Sequence, residues 1–427
     1  MSNAGELIRM GRGTASVLPR NLRLAGRRWA AWRRTGRQWS GRRRGISLME
    51  VIFALGIIIV GLVGVAVLIP VAGKLANDGT TADRAAREGL NAIREMEVRG
   101  MGRPLNWIHL ADGLDNNGNG TVDEPAEISS GSVPSLTGFC LDPRFIAANR
   151  NQILGNSSGG PLNPDPRFFP YVDLGSEKLE AQLRMRRITL LDPTQSPALM
   201  SLLMANDLFT AQDDLVTTIP GVDNNLSPTL PPQQNYGDLG DKRQSEGRIS
   251  WFATFAPAND GDNAQDVYLM SVVVFLNRDA AMLLDGVSER VATIPHTAQF
   301  TGFHGGGVTG GDVSLMVRNN RPATDLDLKR GQWVMLARNS GAIVNGTPVF
   351  TGPIFRWYKV MEVDPDVADS KELSGTPPSG TIIRHTTLYG PDWVPDVNFP
   401  TLVYIVPDVI AVYEKQIRLE NTSLWTP

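Results

Sequence analysis

The chain has 427 residues, 42% hydrophobic and 20% charged, which is enough apolar content to bury a core in one or two compact domains. Its net charge of −3 hides an asymmetry: residues 1–44 hold 12 Arg, no Lys and the single acid Glu6, a balance of +11, and the remainder carries −14. A single cysteine, Cys140, excludes an internal disulfide, so an exported head must be held by its core, by assembly or by metal.

Residues 1–45 read as a basic leader in which Trp29, Trp32 and Trp39 are interleaved with arginine. Arginine with aromatics also suits a nucleic-acid-binding tail. This segment, however, abuts an apolar helix, and its charge orients that helix with the N-terminus in the cytoplasm and the acidic body outside. A membrane partner is therefore expected and a nucleic acid is not. The leader's length makes Met10 an alternative start.

Residues 46–73 form the expected transmembrane helix. Val51 to Gly73 is a run of 23 residues without a charge. At ~1.5 Å per residue it spans roughly 34 Å, enough to cross a bilayer's hydrocarbon core. A secretory signal does not fit, because the run is too long and no small-residue cleavage site follows it. Gly56, Gly61 and Gly64 would let neighbouring helices approach closely. Pro70 removes a backbone donor and should kink or loosen the helix, and Asn77-Asp78-Gly79 is a second weak point. Thr80-Thr81-Ala82-Asp83 has the form of a capping box that restarts a helix over residues 74–98, with Ala82, Ala85, Ala86, Leu90, Ile93 and Met96 on one face.

The residues in front of the apolar run, Arg42-Arg43-Arg44-Gly45-Ile46-Ser47-Leu48-Met49-Glu50-Val51, resemble the processing site of type IV pilins and type II secretion pseudopilins. The resemblance covers about the first quarter of the chain. It implies that a prepilin peptidase cuts after Gly45 and N-methylates the new amine of Ile46, and that Glu50 is needed for assembly with other pilin or pseudopilin subunits. The chemistry is consistent, since Glu50 on one subunit can compensate the Ile46 amine of another in low dielectric. The fold implied is α+β, a long N-terminal helix with a membrane half and an amphipathic half packed on an antiparallel sheet, here with long loop insertions. A mature chain of 382 residues is bulky for a repeating unit and suits a minor subunit at a tip or in a priming complex.

Residues 99–427 read as a β-rich extracytoplasmic head. The clearest strands are 248–255, 267–276, 332–337, 355–363, 381–388 and 409–419. The strand over 267–276 is apolar on both faces and should be central. In 409–419 the positions Val409, Ala411, Tyr413, Ile417 and Leu419 form one apolar face. A second helix is expected over 197–205, capped by Ser196. Residues 129–170 and 220–247 are loop-like and long enough for surface excursions or small subdomains.

Between Asp112 and Glu124 the chain places oxygen donors at Asp115, Asn117, Asn119, the Thr121 carbonyl and Asp123, with Glu124 adjacent and Gly120 at the turn. This is most of an EF-hand loop, and a hard cation such as calcium is held by such oxygens. Ala126 stands where the bidentate Glu would be and Pro125 breaks an exiting helix. The loop therefore resembles the shorter calcium loops of extracellular repeat proteins, and a weak structural calcium site is expected. An Asn/Gly-rich turn without metal is the alternative.

Asn259-Asp260-Gly261-Asp262-Asn263 reads as a hairpin turn. Gly305-Gly306-Gly307 and Gly310-Gly311 lack the Lys-Ser/Thr of a phosphate cradle. Gly155 to Gly159 contains a G-x-S-x-G string around Ser157, in a polar loop where a nucleophile elbow would not form. His109, His296, His304 and His385 have no zinc-site spacing, and Trp333, Trp357 and Trp393 read as core. No enzymatic activity is expected. Besides the structural subunit, two readings remain: a membrane-anchored binding or adhesin protein on a pilin-like stem, and a tethered hydrolase.

Overall fold

The computed structural model describes residues 47–110, 129–130, 137–155, 164–172, 183–193, 197–211, 215–218, 234–235, 242–245, 248–258, 267–279, 289–297, 300–304, 310–318, 322–344, 347–365, 368–369 and 381–419. The chain is mixed α+β and divides after Pro70 into two units. The first contributes the start of helix α1 (Leu48–Val98), and the second holds the rest of α1 and a sheet-rich head.

The expected restart is not seen, because helix α1 continues through Pro70 and through Asn77-Asp78-Gly79. Thr80 does not cap; its hydroxyl donates back to the Asn77 carbonyl at 2.9 Å, as a mid-helix threonine does. The buried stripe is Ala85, Gly89, Ala92 and Met96, at steps of four, three and four. It is rotated from the predicted face, and Leu90 is exposed. Small residues decide the face because the helix lies close against the head: a Cβ at Gly89 would overlap the Tyr413 ring.

After α1 come β1 (Trp107–His109), β2 (Ser129–Ser130), β3 (Phe139–Leu141), α2 (Pro143–Ala148), α3 (Arg150–Gly155), β4 (Phe168–Phe169), β5 (Met185–Leu190) and α4 (Leu202–Phe209). Then follow β6 (Leu215–Thr218), β7 (Gln234–Asn235), β8 (Lys242–Ser245), β9 (Ile249–Pro257), β10 (Val267–Leu276), β11 (Arg290–Ile294) and β12 (Gly310–Arg318). The last strands are β13 (Trp333–Val344), β14 (Thr347–Val363), β15 (Ala368–Asp369), β16 (Thr381–Tyr389), β17 (Thr401–Ile405) and β18 (Val409–Arg418).

One sheet runs β18-β10-β9-β3-β5-β1-β2 with β4 against β5, and its β3–β5 pair is parallel. The second runs β12-β11-β17-β13-β14-β16, and β16 returns to β12, closing a six-stranded barrel. A single antiparallel sheet on the helix is thus not the whole head. The barrel interior holds Val313, Leu315, Leu336, Tyr358, Val403 and Ile405. Its outer residues Met335, Trp357 and Tyr404 pack with Phe252, Val273 and Phe275 of the first sheet. That sheet's other face takes α1: Tyr268, Met270 and Val272 share a core with Ala85, Ala92 and Met96. The head is therefore three layers deep, helix on sheet on barrel wall.

Strand β10 matches its predicted bounds and is buried on both faces between β9 and β18. Strand β18 departs from its predicted single face. A bulge places Ala411 opposite Val274 but Val409 opposite Phe275, so Val409 joins the barrel-side core and Ala411 the helix side. The second helix is also displaced: α4 starts after Ser201, whose Oγ accepts from the Met204 N–H at 3.4 Å, and Leu199 bridges Leu191 instead. The described parts of 129–170 are not a surface excursion, since Phe139, Cys140, Phe145 and Phe169 are fully buried. Residues 220–247 do contribute β7 and β8 to a small three-stranded sheet with β6. Strand β9 pairs antiparallel with β10, and the turn predicted at Asn259-Asp260-Gly261-Asp262-Asn263 lies outside the described residues.

Gly89→Ala should destabilise the full chain in detergent by about 1–3 kcal/mol, the usual cost of overpacking. Gly79→Ala, where a Cβ meets nothing within 4 Å, should be neutral or stabilising by up to ~1 kcal/mol. Denaturant midpoints measure both, and equal effects would contradict the close approach of α1 to Tyr413.

Candidate functional site

The candidate site from the sequence is the start of α1. Ser47 caps it: the Glu50 N–H reaches the Ser47 carbonyl at 2.9 Å and its Oγ at 3.3 Å. Glu50 therefore occupies the third helical position, where a carboxylate also complements the positive end of the helix dipole. Its side chain is exposed. From Leu48 to Leu75 every residue is exposed, including Phe53, Ile57, Leu62 and Leu68. Cβ atoms at Gly56, Gly61 and Gly64 would meet open space. This is the one helix among the described residues long and apolar enough to cross a membrane, which is compatible with a single-pass anchor. Gly45 and Ile46 lie outside the described residues, as do the predicted calcium ligands Asp115, Asn117, Asn119, Thr121, Asp123 and Glu124, and Ser157.

The head contains a charged cluster that the sequence reading did not single out. The side chains of Arg187 on β5, Asp142 at the cap of α2, Arg278 after β10 and Glu289 before β11 are at most 3% exposed. Arg278 grips Asp142 with two guanidinium nitrogens at 2.9 and 2.6 Å. Arg187 pairs with Asp142 and reaches both oxygens of Glu289 at 3.1 and 3.0 Å. Glu289 also accepts from the Tyr171 N–H. The guanidiniums stack on rings, Arg187 at 3.8 Å over Phe145 and Arg278 at 4.7 Å over Phe275. Four separate chain segments, one leading into the barrel, are thereby tied together. The chemistry is structural, since none of these charges faces solvent.

Burial alone would push the Asp142 carboxyl up, but the charge and hydrogen bonds of Arg278, with Arg187 and the Phe145 N–H, override it and hold it below the usual carboxylate range. Burial, with Arg278 nearby, pushes the Arg144 guanidinium down to about 10. Burial also raises the neighbouring Cys140 thiol well above its ordinary range, which leaves it an inert core group.

The barrel's outer wall joins two histidines distant in sequence. Ser314 Oγ lies 2.6 Å from His304 Nε2 and 2.9 Å from His385 Nδ1, because β12 and β16 pair Ser314 with His385. With Ser314 at 0% exposure, its hydroxyl serves as a bridge and has no approach to a substrate. No group of three or more His, Cys, Asp or Glu is placed to hold a metal among the described residues. Gly310 and Gly311 open β12 and pair with Tyr389 and Leu388. Trp357 and Trp393 are core, and Trp333 packs half-buried against the barrel-side core.

The sequence matches no family model, and no curated protein and no solved structure is significantly similar to it.

Because the folded Asp142 pKa lies below its unfolded value near ~3.9, its contribution to stability is complete above that range and is lost as pH falls through the folded value. Asp142→Asn should therefore flatten the loss of stability below about pH 4 in a pH–denaturation profile, besides lowering stability at neutral pH. An acid limb identical to the parent chain would contradict the pairing.

Proposed function

We propose that the protein is a minor pilin or pseudopilin, a structural subunit of a type IV pilus or type II secretion-like fibre. One observation carries the reading: a Ser47-capped helix with Glu50 in its first turn continues into 23 uncharged, exposed residues, directly after Arg42-Arg43-Arg44-Gly45. In this reading a prepilin peptidase cuts after Gly45 and methylates Ile46. The helix is held in the cytoplasmic membrane with its N-terminus inside, and the head is extracytoplasmic. Other subunits then replace lipid around the helix, with Glu50 meeting the amine of a neighbouring chain. Calcium at Asp115 to Glu124 would stiffen the head. No catalytic step is assigned.

A second reading is a membrane-anchored binding or adhesin protein displaying its head on the same stem. The closed barrel favours it, being a layer beyond what packing a helix on a sheet requires.

Glu50→Ala separates the two. The cap uses the Glu50 backbone N–H and the Ser47 side chain, so the substitution leaves the helix start intact. A fibre subunit should still insert in the membrane but fall in sheared fibre fractions by about tenfold or more, the factor that ~1.4 kcal/mol of lost pairing represents. An unaltered surface-bound pool with no fibre dependence would favour the anchor.

A further inference from the structure

A groove of about 970 Å³ lies at one end of the head, with Asn77, Asp78, Thr81 and Ala82 of α1 on one wall. Arg290, Lys329, Arg330 and Lys359 stand on the other. Arg290 is already engaged, donating to the Thr324 carbonyl and, at 2.9 Å, to the Asp327 carbonyl. The Asp327 carboxylate approaches Arg384 at 3.7 Å. Lys329, Arg330 and Lys359 form no ion pair among the described residues, and the remaining acids of the groove are Asp78 on the helix and Asp408 in the β17–β18 turn. Lys329 and Arg330 are exposed, Lys359 is half-buried and Asp408 lies close enough to Lys329 to interact with its charge, so the four cations of the groove outnumber its three acids and leave an excess of positive charge for an external anion.

The depth of the groove identifies that anion. Gly73 ends the uncharged run, and Asn77 and Ala82 follow it by four and nine residues of continuous helix. At ~1.5 Å per residue they stand roughly 6 and 14 Å beyond it. The headgroup layer occupies about 5–8 Å on each side of the hydrocarbon core. The near end of the groove therefore falls at phosphate depth, with exposed Lys74 beside it.

We propose that this groove binds the headgroups of anionic phospholipids, with Lys329, Arg330 and Lys359 facing the phosphates and holding the head down on the bilayer before assembly. The proposal rests on the membrane reading of Val51 to Gly73. Each cation near an anionic surface contributes about fivefold in affinity.

The test reconstitutes the full chain in nanodiscs of phosphatidylcholine alone or mixed with phosphatidylglycerol, and reads amine-reactive labelling of individual lysines by mass spectrometry. Labelling of Lys329 and Lys359 should drop severalfold in the anionic discs and recover at high salt, while Lys415, paired with Glu97, stays unchanged. A Lys329→Glu, Arg330→Glu, Lys359→Glu variant should lose the preference of the chain for anionic discs. Equal labelling in both disc types overturns the groove assignment. Protection by millimolar inorganic phosphate in phosphatidylcholine discs overturns the lipid as its occupant. A chain that does not insert, shown by proteolysis of Val51 to Gly73 in the presence of discs, overturns the membrane reading itself and this proposal with it.

Discussion

An apolar helix with nothing packed on it is the constraint on which the rest of the protein depends. Between Leu48 and Leu75 the large side chains Ile52, Phe53, Ile57, Leu62, Val67 and Leu68 are all exposed. Burying each such side chain is worth about 1.5–3 kcal/mol, so water is the wrong solvent for this segment. Its length and exposure are compatible with a membrane anchor. The same helix changes character within α1: from Ala85 onward, small residues form a stripe that the head covers. One element thus has two environments, and the switch is made by side-chain size and charge along it, without a break in the helix.

The head answers the second environment with layers. Strand β10 is apolar on both faces because one side meets α1 through Met270 and Val272 and the other meets the barrel through Val273 and Phe275. Trp357 on the barrel donates to Thr254 Oγ1 of the sheet at 3.3 Å, and the Arg187–Asp142–Arg278–Glu289 cluster fixes the chain where it passes from sheet to barrel. With Cys140 the sole cysteine, shape and paired charge hold the head together where a small exported domain would use disulfides. Removing one member of such a cluster leaves a buried charge without its partner, which is why the pairing fixes the arrangement even where it adds little net stability.

Much of this was legible from residues. The bounds of β10 followed from its unbroken apolar run, and those of β16 and β18 lay within about a residue of prediction. The barrel was not legible, because its strands bury both faces: Val334 and Leu336 point inward while Met335 and Ala337 meet the sheet, which erases the alternation that marks a half-buried strand. The helix face was misread because Gly89 and Ala92 carry little hydrophobic signal, and close packing favours them for their size. Arg187 beside Ile188 and Leu190 on β5 was a readable warning of a buried ion pair. Its partners lie 45 and 102 residues away, so only the fold could name them. The His304–Ser314–His385 bridge had no sequence signal, since strand register alone creates it.

The central claim is that the apolar helix becomes the N-terminus of the working protein. Mass spectrometry of the protein purified from membranes, read at its N-terminal peptide, tests this most directly. A chain that begins at Ile46 with a methylated α-amine is the predicted result. A chain that retains the basic leader through Gly45, or one cut beyond Gly73 so that the helix is lost, would contradict it.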